Sequence, residues 1–208
     1  MVGGFEVESR AQMAVLPRVK PQRFYDLVVQ VGLIRPGPIT GHLVHPYLRR
    51  RCGQEPVRYA HPALAPILER TLGVPLFQEQ IMRVAMTAAG FSGGQAELLR
   101  RAMGRSGDAR MAELLAALQE GLAKNGIVGA AAAEITQSIQ SFAAYGFPES
   151  HAISFALLTY ASAYLKAHHP AVFYVTLLNV WPMGFYHPAT LLKDAQRRGV
   201  EVLPIDVN

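Results

Sequence analysis

Apolar residues recur at spacings of three and four from residue 62 almost to the end of the chain, which is the period of an amphipathic helix. This pattern predicts a succession of helices that includes 61–73, 75–90, 93–103 and 151–167. Their ends carry start and stop signals, such as Pro75 at the start and Gly90 at the end of the helix over 75–90. The C-terminal two thirds of the chain is therefore expected to be a helical body.

Upstream of this body, a shorter pattern predicts one helix over 8–15, ended by Pro17, and another over 21–34. Residues 42–61 have no such period and are predicted to be a basic connector. We expect a mainly α fold of about eight or nine helices with short loops. At most one short strand is expected, over 200–205, near the C-terminus.

Local capping signals refine the helix ends. Gly73 and Gly90 suit the left-handed position that follows a helix. Ser92 and Gln95 form an S-x-x-Q capping box, and Ser150 is predicted to cap the helix over 151–167.

Composition indicates one folded module. Half of the 208 residues are hydrophobic, which is enough to bury a sizeable core, and no long linker or repeat is present. We expect a basic part over 1–60 followed by the helical body over 61–208. No apolar run reaches the roughly 18 residues that span a bilayer, and the N-terminus does not resemble a signal peptide. The single cysteine, Cys52, fits a reducing, cytoplasmic setting and no membrane partner.

The positive charge is concentrated in the first third of the chain. Residues 1–60 hold nine Lys and Arg against four Asp and Glu, whereas the two types balance in the remainder. Three consecutive arginines, Arg49, Arg50 and Arg51, lie in this part. A polyanion such as DNA is one partner that this distribution predicts. An ordinary solvated basic face is the alternative.

The chemistry of a self-sufficient enzyme is not visible in the sequence. It has no C-x-x-C, H-E-x-x-H, Walker A or G-x-S-x-G motif. Its four aspartates, which a two-metal site would need close together, are scattered: Asp26, Asp108, Asp194 and Asp206. The sequence therefore predicts a binding module, or part of an enzyme whose metal site lies elsewhere.

Two arginine-bearing segments are candidates for anion binding. LLRRAMGRSG (98–107) places Arg100 and Arg101 near a helix end, where they could clamp phosphates or simply favour the helix dipole. IRPGPITG (34–41) holds Arg35 on a loop stiffened by proline, which could equally be a rigid turn.

Two further segments combine polar and aromatic residues. In PLFQEQIM (75–82), Glu79 could pair with an arginine or could be an ordinary acid in a first helical turn. In YGFPESHA (145–152), His151 lies in a first turn whose free N–H groups attract anions, beside flat rings that could pack on a base or sugar. A capped corner with core aromatics is the alternative for this segment.

These four segments, together with YLKAHHPAVF (164–173), resemble the bacterial C-family replicative polymerases, the DNA polymerase III α subunit group, in order and rough spacing. The resemblance runs from GGFEVESRAQM to LPIDVN and so covers essentially the whole chain. The ending WPMGFYHPATLLKDAQRRGVEVLPIDV is most similar to the error-prone, damage-tolerant branch.

The resemblance implies a fingers domain, helical and arched over the incoming nucleotide. It implies that Arg100 and Arg101 contact the triphosphate of the dNTP, and that His151 lies by the sugar and discriminates against a ribose 2′-hydroxyl. Tyr145 and Ser150 would form part of the pocket wall.

The resemblance also implies a role for Arg35, near the pocket, and a setting for the whole chain. The parent reaction would be template-directed nucleotidyl transfer with Mg²⁺, whose aspartate ligands lie in a palm domain that precedes this region. Implied partners are the DNA primer-template, the dNTP, the palm, and a sliding clamp with damage-response accessory proteins. By this resemblance, we expect the palm, the phosphoesterase-type, the clamp-binding and the OB-fold domains to be absent from the 208 residues. We therefore expect an excised or truncated fingers module that binds no metal and is inactive alone.

Two other hypotheses remain open at this point. The chain could be a non-catalytic helical DNA-binding module that uses Arg49, Arg50 and Arg51. It could also be a fragment with no independent role. One departure from many replicative members is that RSGDARM follows LRRAMG where they carry lysines. This difference predicts a looser hold on the triphosphate or template, or it is neutral drift.

Overall fold

Helices make up the regular structure of the computed structural model, which describes residues 2–34, 46–103, 109–143, 147–182 and 186–204. The eleven α-helices of these residues are α1 (Arg10–Val19), α2 (Phe24–Leu33), α3 (Pro46–Arg51), α4 (Ala65–Leu68), α5 (Gln78–Ala89), α6 (Gly93–Met103), α7 (Ala109–Lys124), α8 (Gly129–Ala143), α9 (Glu149–His168), α10 (Pro170–Asn179) and α11 (Pro188–Arg197). Two short 3₁₀ turns, Pro62–Leu64 and Glu69–Thr71, flank α4. The mainly α fold is confirmed. The count exceeds the predicted eight or nine partly because it includes the short helices α3 and α4.

The largest apolar cluster lies among helices α4 to α8. Its buried centre includes Ile81, Leu99, Leu118 and Ile139, contributed by four different helices. Apolar burial of this kind stabilises a helix more than its intrinsic propensity does. This cluster therefore fixes the positions of α5 and α6, which carry two of the candidate segments.

A second cluster joins α1, α2 and α3 to α9. Val28 and Val29 of α2, Tyr47 of α3 and Ala156 of α9 are all buried in it. Phe77, immediately before α5, also belongs to this cluster, whereas Ile81 belongs to the first. The beginning of α5 is therefore the place where the two clusters meet.

The third cluster, around α10 and α11, encloses a polar group. Lys166 of α9 is only 2% exposed, and its ammonium donates to the carbonyl of Val2 and to Asp194 at 2.6 Å. Tyr174 donates to the same carboxylate at 2.6 Å. Burial lowers the pKa of Lys166, and the Asp194 carboxylate opposes that change. The lysine of YLKAHHPAVF thus ties the first residues to α9 and α11.

One helix crossing depends on the absence of a side chain. A Cβ at Gly121 of α7 would lie 2.1 Å from the carbonyl oxygen of Ala89 at the end of α5. No side-chain carbon can approach a backbone oxygen so closely. Asn125 reaches across the same crossing and donates to the carbonyl of Ala88 at 2.9 Å. The close approach of α5 and α7 therefore requires glycine at position 121.

Several predicted boundaries are wrong for local reasons. Pro17 does not end the first helix, because α1 is already in its last turn there and continues to Val19. The second helix begins at Phe24, since the Asp26 carboxylate accepts hydrogen bonds from the backbone just before that residue. The connector 42–61 contains a helix, α3.

The segments on either side of Gly73 also differ from the prediction. The helix predicted over 61–73 divides into α4 and the two 3₁₀ turns, and the helix predicted over 75–90 begins only at Gln78. Gly73 and Gly90 do take positive φ, as predicted, with values of 78° and 69°. The capping box of Ser92 is confirmed, with its backbone N–H donating to the Gln95 side chain at 2.9 Å.

The C-terminal strand candidate does not form one in residues 200–204, the part of it that the structure describes. Among the described helices, none is both long and apolar enough to cross a bilayer.

Candidate functional site

Two of the candidate segments, 75–82 and 145–152, meet through their backbones. The N–H of Gln78 donates to the carbonyl of Phe147 at 3.0 Å, and Phe77 and Phe147 form an isolated parallel β-bridge. We call this contact the joint. It connects the start of α5 to the start of α9, although about seventy residues separate them in the sequence.

A buried glutamine fixes the α5 side of the joint. The Gln80 side-chain oxygen accepts from the backbone of Leu76 at 2.8 Å and Phe77 at 3.2 Å. Its amide nitrogen donates to the hydroxyl of Thr71 at 2.9 Å and to the carbonyl of Ile67 at 3.3 Å. A buried amide with both ends occupied has little freedom, so the first turn of α5 is held in one orientation.

Glu79 caps the helix on the other side of the joint. Its carboxylate accepts from the backbone N–H of Glu149, the first residue of α9, at 2.8 Å. The prediction that Ser150 caps this helix is wrong. Pro148 occupies the N-cap position, so Ser150 lies inside the first turn, where it is exposed and its carbonyl accepts from Ser154.

This cap changes the electrostatics of the corner at the start of α9, over residues 147–151. The first N–H of α9, expected to be free for an anion, is already bound to a carboxylate. The Glu149 side chain accepts from the hydroxyl of Tyr25 at 2.5 Å, and the guanidinium of Arg70 lies 3.5 Å from the centre of the Tyr25 ring. Burial, and then the bond to Glu149, raise the pKa of Tyr25 well above its usual range. The helix start is thus acidic rather than open to phosphate.

The imidazole of His151 is exposed but is held between aromatic rings. The Phe147 ring centre lies 5.3 Å from it, and the Phe155 ring meets it edge-on at 4.2 Å. Phe155 in turn stacks on Phe5 at 5.6 Å. The start of α9 therefore presents to solvent an imidazole that contacts two aromatic rings.

The arginines at the end of α6 share one carboxylate. Glu97 accepts from Arg100 through two bonds, of 2.7 and 2.8 Å, and from Arg101 at 2.9 Å. The two guanidinium groups lower the pKa of Glu97 to about 2. Arg101 is exposed over 69% of its side chain. Sequence reasoning overlooked Glu97, although spacings of three and four are those at which helical ion pairs form.

A side chain of α5 connects these arginines to the joint. Arg100 donates to the side-chain oxygen of Gln78 at 3.4 Å, and the backbone of Gln78 is bonded to Phe147, which contacts His151. The Glu97 bond raises the pKa of Arg100, and the charge of the nearby Glu79 adds to that effect. A series of contacts therefore connects three segments that lie far apart in the sequence, and the surface along this series has cations at one end and an imidazole at the other.

Comparison with known proteins identifies the chain. A family model for the bacterial DNA polymerase III alpha subunit finger domain matches residues 1–126. The chain belongs to this family. The fingers-domain match includes the arginine end of the surface, and the His151 end lies beyond it.

Curated relatives cover both ends of the surface. The chain is 60% identical over its whole length to the error-prone DNA polymerase of Corynebacterium jeikeium, and 59% identical over 99% of its length to that of Anaeromyxobacter dehalogenans. The error-prone DNA polymerase of Teredinibacter turnerae is 55% identical over the whole chain. The chain spans about a fifth of the length of these relatives, 18 to 20%.

The other arginine cluster of this fingers domain is tied into the fold. Arg50, with 6% of its side chain exposed, donates to the carbonyl of Leu72 at 2.6 Å and to that of Arg58 at 3.3 Å. Arg49 and Arg50 both pair with Glu55, at 2.9 and 3.1 Å. The Arg50 guanidinium therefore has donors directed into the protein, whereas Arg49 has 45% of its side chain exposed.

Arg51 is engaged in the same way. It donates to the carbonyls of Val19 at 2.9 Å and Lys20 at 3.2 Å and pairs with Asp26 at 2.9 Å. That Arg49, Arg50 and Arg51 contact DNA stays a prediction. Arg35 and Tyr145 lie outside the described residues.

A cleft of about 240 Å³ lies elsewhere on the molecule, between α3, α4, α5 and α8. Its floor is apolar, with Leu68, Ile81 and Ile139, and its rim carries the ion pair of Arg58 with Glu134. Neither Arg100 nor His151 lines it. The described residues contain no group of three or more His, Cys, Asp or Glu side chains that could hold a metal ion.

Proposed function

We propose that this fingers domain binds the incoming dNTP in an error-prone DNA polymerase, with the triphosphate at Arg100 and Arg101 and the sugar at His151. The observation that carries the proposal is the contact series from Arg100 through Gln78 and Phe147 to His151. The surface along this series has a cationic end, which suits the triphosphate of a nucleotide, and an imidazole end, which suits its sugar.

The arginine end suits phosphate for a specific reason. A guanidinium presents planar N–H donors that match phosphate oxygens in pairs, and it stays charged at any physiological pH. The two guanidiniums would neutralise charge on the triphosphate as it reacts, and fixed placement reduces the cost of orienting it. In the parent, template-directed nucleotidyl transfer on a DNA primer-template would take place next to this surface.

Mg²⁺ in the parent polymerase would need ligands from another domain. The two described aspartates, Asp26 and Asp194, are each committed to an ion pair, at 2.9 and 2.6 Å. The described residues therefore do not fit the carboxylate cluster of a two-metal site. We accordingly assign this chain to binding and orientation of the nucleotide, and we expect no polymerase activity from it alone.

The imidazole end suits discrimination by shape. Contacts with Phe147 and Phe155 restrict the His151 ring, so a ligand with an additional hydroxyl could not easily displace it. We propose that the ring occupies the space that a ribose 2′-hydroxyl would need. Ser150, exposed one residue earlier, and Tyr145 and Arg35 are proposed to complete the pocket wall.

The triphosphate role is tested in a polymerase that contains this fingers domain and its palm. Arg100→Ala or Arg101→Ala is expected to raise the apparent KM for dNTP about tenfold or more, since a hydrogen bond to a charged group contributes about 1.5–3 kcal/mol. Arg83→Ala, which removes an exposed arginine elsewhere on α5, is the matched control. An unchanged KM in the α6 variants would reject the triphosphate role.

The sugar role is tested by competition between nucleotides in the same polymerase. His151→Ala is expected to raise ribonucleotide incorporation relative to dNTP, because it opens the space beside the 2′ position. His168→Ala, an exposed histidine at the other end of α9, is the control. The same dNTP-to-rNTP ratio in His151→Ala and in the unaltered enzyme would be evidence against the sugar role.

The palm itself is proposed to cover one face of α9. Leu158 is exposed and lies seven residues after His151, on the same side of the helix, and Leu165 continues that row. The relatives are about five times as long as the chain, so other domains are available to cover this row. We propose that the palm domain packs against it. An apolar fluorescent dye should bind the chain alone and bind less when the palm is present. Undiminished dye binding, or self-association that involves Leu158, would contradict this docking.

A further inference from the structure

The pairing at the end of α6 leaves two cations sharing one anion. Glu97 uses one oxygen for Arg100 and the other for both arginines, so the three side chains carry a net charge of +1. All three lie on one helix, and Arg101 extends into solvent. A phosphate that approaches these guanidiniums therefore meets donors that already hold a carboxylate.

We infer that the Glu97 carboxylate competes with the nucleotide phosphates for the N–H donors of Arg100 and Arg101. This competition weakens the binding of triphosphate and of pyrophosphate to the two arginines. The inference rests on the proposed function and deepens it, since it concerns the same arginines. Phosphate oxygens and the Glu97 carboxylate bind the same N–H donors. A bound triphosphate must therefore share those donors or displace the carboxylate.

The competition would matter most when product leaves. After nucleotidyl transfer the departing group is pyrophosphate. Its release leaves the Arg100 and Arg101 guanidiniums without the anion that they had bound. With Glu97 three and four residues away, the carboxylate can return to them as the anion departs. Without Glu97, two uncompensated cations would hold pyrophosphate more tightly.

A purely structural role predicts a different outcome. The buried residues of α6 that hold it in the core are Ala96, Leu99, Ala102 and Met103, on the face that packs inward. The Glu97 pairs lie on the exposed side, so their loss opens no cavity. Replacing the carboxylate by an amide of the same shape removes the charge and keeps the packing. The variant Glu97→Gln therefore separates competition from support.

The experiment measures binding of inorganic tripolyphosphate and of pyrophosphate to the full chain by titration calorimetry. Glu97→Gln is expected to bind both anions about three- to tenfold more tightly, on the order of what one or two exposed ion pairs contribute. Glu120→Gln, an exposed glutamate of α7, controls for the change in overall charge and should shift affinity less than twofold. Circular dichroism confirms that each variant keeps its helices.

The outcomes separate the two claims. If Arg100→Ala abolishes binding while Glu97→Gln binds as the unaltered chain does, the competition is disproved and the triphosphate role stands. Weaker binding by Glu97→Gln would mean that the carboxylate positions the arginines, which also overturns the inference. If Arg100→Ala leaves binding unchanged, or if no variant binds either anion, the proposed function itself fails.

Discussion

The two arginine clusters of this domain resemble each other in sequence and differ in what they bind. Arg50 and Arg51, at the end of α3, donate to backbone carbonyls of other segments, whereas Arg49 beside them donates to the Glu55 carboxylate. Arg100 and Arg101, at the end of α6, donate to a carboxylate of their own helix. A carbonyl in a folded backbone cannot be exchanged for a ligand, whereas a surface carboxylate can. The type of acceptor therefore separates a structural arginine from one available to phosphate.

The first cluster has a clear structural purpose. The last carbonyls of a helix have no partner within it, and Arg51 satisfies two of them, at Val19 and Lys20, where α1 ends. Arg50 does the same for Leu72, where the 3₁₀ turn before Gly73 ends. A cluster that looks like a DNA-binding patch in the sequence thus joins α3 to two other segments.

The largest effect that this comparison predicts is on Arg50. Arg50→Ala should lower the free energy of unfolding by about 2–4 kcal/mol, because it removes a side chain that is only 6% exposed and leaves two backbone carbonyls without their donor. Urea denaturation followed by circular dichroism measures it. Arg100→Ala is the matched variant from the other cluster and should change stability little. Equal losses in the two variants would remove the distinction between the clusters.

Arg51 should have an intermediate effect. Its side chain is 25% exposed, and Asp26 keeps its backbone hydrogen bonds from Gln22 and Arg23 when the guanidinium is removed. We expect Arg51→Ala to cost about 1–2 kcal/mol in the same urea measurement. Arg51→Lys, which keeps the charge but not the forked donors, should recover only part of this. Full recovery in the lysine variant would show that charge alone matters.

The smallest effect is the response of the second cluster to acid. Because the pKa of Glu97 is about 2 in the folded chain and near 4.5 when it is unfolded, its pairing stabilises the fold above pH 4.5 and is lost as the pH falls toward 2. The urea midpoint of Glu97→Gln should therefore lie slightly below that of the unaltered chain at pH 6. The two should converge near pH 2.5, whereas a gap that stays constant with pH would contradict this.

Local signals in the sequence predict much of the fold. The Ser92 capping box and the glycines at 73 and 90 form as expected, because each depends only on neighbouring residues. Pro17 and Ser150 mislead for the same reason: their effect depends on where the helix has already begun. Local rules made Arg100, Arg101 and His151 candidates that also had structural explanations, and the family resemblance gave each of them a specific role.

The contacts between the segments could not be predicted. Glu79 looks like an ordinary acid of a first turn, yet it caps a helix seventy residues further on, since α5 and α9 meet only in the folded chain. Tyr25 and Arg70 carry no motif and reach the corner through packing. Only Glu97 was readable in advance, from its helical spacing to both arginines.

The backbone bond from Gln78 to Phe147 in the joint has a consequence for hydrogen exchange. Amides in the first turn of a helix have no acceptor within it and usually exchange with solvent quickly. The Gln78 amide is bonded instead to Phe147, at the meeting point of the two largest apolar clusters. Its exchange rate would report how often those clusters separate, so one resonance could follow the opening of the surface that we propose binds the nucleotide.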